Sequence, residues 1–393
     1  MRKETTIKAN NNSPAIRFAG FADPWERRKL GELSDITTGK LDANAMTPDG
    51  EYDFYTCSLQ VYKIDKYAFE GPAITIAGNG YVGCLHLADG KFNAYQRTYV
   101  LSNFKAVREY LYAEIGNKLP SKVNQEARNG NIPYIVMDML TDLVVSLPNA
   151  EEQCKLGNLF ATLNRLITLH QQKYEKLVNL KKAMLVKMFP KNGELVPEVR
   201  FAGFSGNWER RRMGDIAEIV GGGTPSTMRP EYWNGNIDWY APAEMEGVRY
   251  AKQSTRRITE LGLHNSSARI LPAEKTVLFT SRAGIGKMAI LKRPGATNQG
   301  FQSMILKNGN SAYFIYSLRD IITAKAERIA SGSTFLEISA RMLANIEILV
   351  PGEQEQRAIG HLFEKVDDLI ESFNRKIGLL QKLKSAFLEK MFV

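Results

Sequence analysis

Residues 14–39 read PAIRFAGFADPWERRKLGELSDITTG, and residues 197–222 read PEVRFAGFSGNWERRRMGDIAEIVGG. At an offset of 183 the two stretches agree at 13 of 26 positions, RFAGF and WERR among them, so the chain holds two copies of one plan. A second match joins residues 148–189 to 351–392 at an offset of 203: Pro148, Glu152, Gln153, Gly157, Leu159, Phe160 and the run Lys187, Met188, Phe189 meet Pro351, Glu355, Gln356, Gly360, Leu362, Phe363 and the run Lys390, Met391, Phe392. The offset grows by 20, so each half has two constant pieces around an insert that is longer in the second half. The inserts share a skeleton. AITIA (73–77) and TVLFT (276–280) are β-rich runs, each followed by a glycine turn, GNGYVG (78–83) or RAGIGK (282–287). Gln96 then meets Gln299, and Met139-Leu140 meets Met342-Leu343, at the offset of 203.

The constant piece after each insert predicts a long helix. Leu156, Leu163, His170, Leu177 and Met184 fall on heptad a positions, and Leu159, Leu166, Lys173, Leu180 and Lys187 on d. The second copy places Ile359, Val366, Phe373, Leu380 and Phe387 at a, and Leu362, Leu369, Lys376, Leu383 and Lys390 at d. A seven-residue repeat of that length predicts a coiled-coil seam. Roughly 33 residues at ~1.5 Å each give a rod of roughly 50 Å, and two such helices in one chain can satisfy each other. The lysines at d can lay their stems on apolar surface and keep their ammonium groups in water. Gly157 and Gly360 fall near the helix starts, where a glycine costs less. The acidic pairs Glu151-Glu152 and Asp367-Asp368 read as dipole partners or a solvated face.

The chain has 393 residues, 52 Lys plus Arg against 42 Asp plus Glu, and a net charge of +10, which favours an anionic partner. Hydrophobic residues make up 44%, enough for real cores and too many for a chain disordered throughout. Three cysteines without CxxC spacing, Cys57, Cys84 and Cys154, support neither a disulfide framework nor a zinc ribbon. There is no apolar run near the ~20 residues that span a bilayer, and Met1 to Asn12 lacks the apolar core of a signal peptide. A soluble, cytoplasmic protein with reduced thiols, not bound to a membrane, is expected.

Catalytic signatures fail in turn. Gly78-Asn-Gly80-Tyr-Val-Gly83 has the letters GxGxxG, but CLHLADG after it alternates like a strand and opens no helix for a pyrophosphate. Around Gly286-Lys287, Ser281 and Met288 break the phosphate-loop pattern. No [DN]PP[YF] tetrapeptide of an amino-group DNA methyltransferase is present, Cys84 and His86 lack a second metal-ligand pair, and the four histidines are dispersed. No nucleophile has a recognisable base. No catalytic, cofactor or metal residue is therefore assigned.

The order RFAGF...WE (17–26 and 200–209), the repeated plan, and LPNAEEQ or VPGEQEQ opening a long helix resembles the specificity subunit of type I restriction-modification systems, from Pro14 onward. GGGTPS (221–226) with YWNGNIDW (232–239) looks like the start of a target recognition domain of that family, and RAGIGK and SGST (331–334) like its later loops. The first insert departs from this: Thr37-Thr-Gly-Lys40 stands in place of GGGTPS, EYDFYTC (51–57) in place of the YW element, and Asn129-Gly-Asn131 near the place of SGST.

The resemblance implies an α+β fold: two pseudo-repeated mixed α/β target recognition domains, separated by two long helices packed as an intramolecular antiparallel coiled coil. The boundaries expected are 1–149 for the first recognition domain, 150–192 for the central helix, 193–350 for the second domain and 351–393 for the C-terminal helix. It further implies binding to double-stranded DNA at an asymmetric bipartite target, and no catalysis. Two modification (methyltransferase) subunits would supply S-adenosylmethionine binding and adenine methylation; restriction (translocase/endonuclease) subunits would use ATP and Mg. A reader needs phosphate-binding cations and side chains that reach base edges. The candidate DNA-binding residues are therefore polar and basic positions on expected loops: Lys40, Asn79, Tyr81, Gln96, Arg97, Asn129 and Asn131 in the first module, and Thr224, Ser226, Arg282, Lys287, Gln299, Ser331, Ser333 and Thr334 in the second.

Two rivals are a stand-alone DNA methyltransferase or nuclease, which would act without partners, and a structural adaptor, which would show no salt-sensitive DNA binding. Net charge is −2 over residues 40–149, +5 over 150–192 and +6 over 223–350. The second module is thus expected to dominate salt-dependent affinity.

Overall fold

The computed structural model describes residues 13–127, 134–191, 193–282, 284–331 and 336–393. It divides into two compact units, residues 1–172 with 374–393, and residues 173–373.

The first unit contains β1 (Glu26–Lys29), β2 (Asp35–Thr38), β3 (Tyr52–Tyr55), β4 (Tyr62–Ile64), β5 (Phe69–Glu70), β6 (Ala73–Ala77), β7 (Leu85–Ala88), β8 (Lys91–Ala94), β9 (Thr98–Ser102) and β10 (Val144–Leu147). They form a β1-β10 ribbon, a sheet ordered β2-β9-β6-β7 and a sheet ordered β4-β3-β8-β5. The second unit contains β11 (Glu209–Arg212), β12 (Ala217–Gly221), β13 (Trp233–Tyr240), β14 (Tyr250–Ala251), β15 (Arg256–Ile258), β16 (Thr276–Phe279), β17 (Met288–Leu291), β18 (Gly295–Thr297), β19 (Gln302–Leu306) and β20 (Glu347–Val350). They form a β11-β20 ribbon, a sheet ordered β12-β19-β16-β17-β14 and a sheet ordered β15-β13-β18. AITIA and TVLFT supply the central strands β6 and β16, whose side chains are buried throughout, as β-branched runs without charge should be.

Strand register shows where the second insert gains its length. Tyr55 opposite Ala94 corresponds to Tyr240 opposite Thr297, an offset of 185 on the first partner. Ile64 opposite Tyr52 corresponds to Ile258 opposite Ile237, an offset of 194, and Ile74 opposite Leu87 to Val277 opposite Ile290, an offset of 203. The growth is therefore concentrated in two connections, β13 to β15 and β15 to β16. The first of these carries the additional strand β14.

The long helices run Ala150–Lys187 and Glu353–Met391. Phe160 packs on Phe392 in the first unit, and Phe189, just past the first helix, on Phe363 in the second, so the helices pair antiparallel. The core of the first unit includes Trp25, Tyr110, Phe160, Met391 and Phe392; that of the second includes Trp208, Phe314, Phe363, Met188 and Phe189. Each unit thus takes the N-terminal part of one long helix and the C-terminal part of the other.

The heptad stripe is used differently from a simple seam. The a residues Leu156, Leu163, Ile359 and Val366 are buried, whereas the d residues Leu166, Leu180, Leu369 and Leu383 are exposed, Leu180 by 50%. Gly157 and Gly360 do more than avoid a penalty: a Cβ would lie 2.9 Å from the Tyr110 amide in one case and 2.7 Å from Ser311 Oγ in the other, so both permit a close helix approach.

The two constant pieces of each half are tied by an ion pair. Arg17 grips Glu152 with both nitrogens (2.8 and 2.7 Å), and Arg200 grips Glu355 likewise (2.7 and 2.7 Å). Gln153 and Gln356 add the same bond to Pro148 O and Pro351 O, at 2.7 and 3.0 Å. Glu152 is therefore a buried ion-pair partner rather than a solvated dipole partner. Asp367 and Asp368 also have specific partners, Lys181 and Arg249. No helix among the described residues is long and apolar enough to cross a membrane.

Candidate nucleic-acid interface

In the first unit four connections meet. Gly39 N–H donates to Thr98 O (3.1 Å), Gln96 N–H to Leu41 O (2.8 Å), Gly78 N–H to Arg97 O (2.8 Å) and Tyr81 N–H to Cys57 O (3.1 Å). A Cβ on Gly39 would lie 2.0 Å from Ala94 O, so only glycine lets the loop after β2 cross the β8–β9 turn. This lattice brings Lys40, Asn79, Tyr81, Gln96 and Arg97 onto neighbouring loops. Tyr81 is 58% exposed, Lys40, Gln96 and Arg97 are exposed, and Asn79 is half-buried. Neither Lys40 nor Arg97 has a carboxylate partner among the described residues. Asn129 and Asn131 lie outside the described residues. The GNGYVG loop is a β6–β7 connection with Gly80 and Gly83 at φ of 61° and 78°, and a strand follows it.

The second unit builds the same frame. A Cβ on Gly222 would lie 1.9 Å from Asn298 O; Ser281 N–H donates to Gly300 O (2.8 Å) and Asn298 N–H to Tyr240 O (3.0 Å). Thr224 donates its hydroxyl to Gln299 Oε1, joining two of the candidates directly. Ser226 is exposed on the same loop. Arg282 is half-buried without an ion-pair partner among the described residues, whereas Lys287 is paired with Glu246. Such a partly exposed pair is weak, about 0–1 kcal/mol, and a phosphate can replace the carboxylate. Ser331 closes a helix end, donating its hydroxyl to Arg328 O at 2.9 Å. Ser333 and Thr334 lie outside the described residues.

One element escaped the sequence reading. Arg256 of β15 stacks its guanidinium over Trp233 at 3.7 Å and lies 5.4 Å from Trp239. Those indoles hold the GGGTPS loop, Trp239 donating to Gly223 O (2.8 Å) and Trp233 to Ser226 O (3.2 Å). The signal was present in YWNGNIDW, whose tryptophans fall an even number of residues apart on one strand face. Met228, on the adjoining loop, is 86% exposed.

These surfaces offer hydroxyls, amides, guanidinium groups and a free-standing tyrosine on a rigid backbone frame. That chemistry suits hydrogen bonding to base edges and phosphates. Fold and site together define a tandem recognition protein: one module twice, with a constant frame and unlike loops.

Comparison with known proteins gives the same class. The family model described as Type I restriction modification DNA specificity domain matches residues 22–179 and again 205–382. The Type I restriction enzyme EcoDI specificity subunit of Escherichia coli is 26% identical over 398 residues, spanning 94% of this chain and 88% of that protein. The MjaIX specificity subunit of Methanocaldococcus jannaschii is 37% identical over 191 residues, 48% of this chain and 44% of that one. In fold, the crystal structure of the S subunit of a type I restriction-modification system from M. genitalium matches with a TM-score of 0.70 at 16% identity, covering 97% of this chain and 99% of that one. The chain belongs to the type I restriction-modification DNA specificity family, with one copy of the domain in each half.

Proposed function

We propose that the chain is the sequence-reading, non-catalytic subunit of a type I restriction-modification complex, and that its two loop clusters each read one part of an asymmetric, bipartite duplex DNA target. The observation that carries this reading is internal: two modules share backbone lattice, ion pair and core, yet present different side chains on equivalent loops. Lys40, Asn79, Tyr81, Gln96 and Arg97 form the reading surface of the first module; Thr224, Ser226, Arg282, Lys287 and Gln299, with Arg256, form that of the second. The modules extend over residues 1–149 and 193–350, and the helical segments over 150–192 and 351–393.

Modification subunits, two per chain, bring S-adenosylmethionine and methylate adenine; restriction subunits bring ATP- and Mg-dependent translocation and cleavage. The exposed leucines on the long helices, Leu166 and Leu383 in the first unit and Leu180 and Leu369 in the second, favour the helical segments of each unit as docking surfaces for those subunits. The assembly works in the cytoplasm, where reduced cysteines suit it.

The test exchanges residues 223–347 for those of a homologous chain and maps genomic methylation. One half of the methylated motif should change while the other half is retained. Methylation by the purified chain without partners, or a change in both halves, would reject the reading.

A further inference from the structure

The two units differ at one sheet edge. In the second, β14 lies parallel on β17: Ile290 N–H donates to Arg249 O and Lys292 N–H to Ala251 O, both at 2.9 Å. This strand is also clamped to the second long helix, with Arg249 on Asp368 (2.7 Å) and Glu371 (2.8 Å) and Tyr250 OH on Glu364 (2.5 Å). On the same helix Asp367 takes Lys181 at 2.5 Å.

Among the described residues the first unit has no counterpart of β14, because residues 56–61 join β3 to β4 where residues 241–255 join β13 to β15. β7, in the register of β17, therefore ends its sheet. Ala77 N–H donates to Cys84 O, which makes Thr75 and His86 the next hydrogen-bonded pair and turns the peptide groups of Leu85 and Leu87 outward. Tyrosine hydroxyls cover the outward carbonyls, Tyr112 on Leu85 O (3.2 Å) and Tyr55 on Leu87 O (3.5 Å). The outward N–H groups are left to a groove of about 320 Å³, lined among others by Val61, Leu85, Leu87, Asn164 and Arg165.

The charge of this place is inverted relative to its twin. At the offset of 203, Glu364, Asp367, Asp368 and Glu371 become Ala161, Asn164, Arg165 and Thr168, and Lys181 becomes Lys384. Lys384 lines an adjoining hollow with Asn164 instead of an aspartate, and burial holds its ammonium below the usual lysine range. Arg165 has no carboxylate partner among the described residues. The second unit supplies an acidic helix and fills it with its own cationic strand; the first supplies two cations and an open strand edge, the one carboxylate of the groove lining among the described residues, Glu109, being held by Arg108 at 2.8 Å.

We propose that the groove between β7 and the first long helix receives an extended segment of a modification subunit, added as a strand parallel to β7 with acidic side chains on Arg165 and Lys384. Outward amides on an edge strand are matched by peptide backbone, and the apolar lining from Val61, Leu85 and Leu87 suits a peptide better than a phosphodiester chain. The proposal rests on the functional reading above.

Residue-resolved hydrogen exchange on the full chain tests it, alone, with DNA, with the modification subunit, and with both. Exchange at the Leu87 amide should slow by about tenfold or more with the modification subunit and not with DNA alone. Arg165→Glu should weaken assembly by about tenfold while leaving DNA binding by the free chain unchanged. Leu87→Pro removes the outward N–H together with a side chain that packs on the first unit's core, so it is compared with Leu87→Ala, which keeps the N–H: at equal folded fraction the proline variant should weaken assembly further. Unchanged Leu87 exchange in a complex that methylates its motif would overturn the groove assignment alone. Slowing by DNA alone would make the groove a nucleic-acid site, and slowing in the free chain that grows with concentration would make it a self-association edge; either overturns the proposal. Failure to assemble at all, with no motif-directed methylation, would overturn the functional reading and the occupant with it.

Discussion

Replacing Arg17 by alanine should destabilise the first unit by about 3 kcal/mol. Its guanidinium is 12% exposed, but the Glu152 carboxylate it holds is only 1% exposed, so the substitution strands a buried charge. Breaking a buried pair from one side costs about 3–5 kcal/mol, and the lower end applies because water can reach the vacated side. For a unit of this size that corresponds to a fall in melting temperature of roughly 6–12 °C. Differential scanning calorimetry of the full chain would read it as a downward shift of one transition with the other unmoved, since the second unit has its own Arg200–Glu355 pair. Arg200→Ala should cost more, because Arg200 also donates to Gly206 O (2.6 Å) and Ser205 O (3.1 Å). The double variant Arg17→Met with Glu152→Gln removes both charges together and should recover much of the loss. A loss below about 1 kcal/mol for Arg17→Ala, or a double variant as unstable as the summed single ones, would refute the view that this pair joins the constant pieces.

Three further outcomes follow from the same geometry. Gly39→Ala and Gly222→Ala, whose Cβ atoms would lie 2.0 Å from Ala94 O and 1.9 Å from Asn298 O, should each displace one reading loop at a cost of about 1–3 kcal/mol, seen as relaxed methylation at one half of the motif only. Burial pushes the Glu114 carboxyl above its ordinary range, more than Lys118 and the Ser146 amide pull it down, so its contribution to stability is largest in acid and is lost as pH rises through the folded value; Glu114→Gln, which keeps an acceptor for Ser146 N–H, should melt above the parent at about pH 8, with the difference closing towards about pH 4. Arg282→Gln should reduce the salt slope of DNA binding by about 1, and Lys287→Gln by less, because Glu246 already offsets that charge; equal reductions in fluorescence-anisotropy titrations would contradict the assignment.

Much of the architecture was legible because it was written twice. The repeat of RFAGF, WERR and the helix-opening EQ marked the frame, and β-branched runs before glycine turns marked the central strands. What stayed hidden were relations across long stretches of chain. Nothing local pairs Arg17 with Glu152, 135 residues away, although both are constant in each half. A heptad tells which face of a helix is apolar and not what covers it, which is why the d leucines were assigned to one seam, whereas Leu159 and Leu362 pack on the cores and Leu166, Leu180, Leu369 and Leu383 are exposed. The loop candidates fared unevenly for a similar reason: the glycine before Lys40 and the match of Gln96 to Gln299 announced where those two would stand, but a hydroxyl such as that of Ser331 can equally close a helix.

The duplication also separates what can vary from what cannot. Trp25 is packed edge-on against Phe392 and Trp208 against Phe189, so the C-terminal end of the second long helix completes the first unit and that of the first helix completes the second. The residues that do this are the same in both halves, as are the arginine, glutamate and glutamine that fasten each module to its helix. Val82 and Ile285 anchor the β6–β7 and β16–β17 loops in those cores, whereas polar loop residues such as Asn79, Tyr81 and Arg282 stand outside them and can change with small cost to stability. A reading surface mounted in that way can acquire a new sequence preference in one module without disturbing the other. The same freedom extends beyond the loops to a whole strand: β14 stands on β17 in the second unit, and the short β3–β4 connection of the first carries no such strand, leaving a groove beside β7.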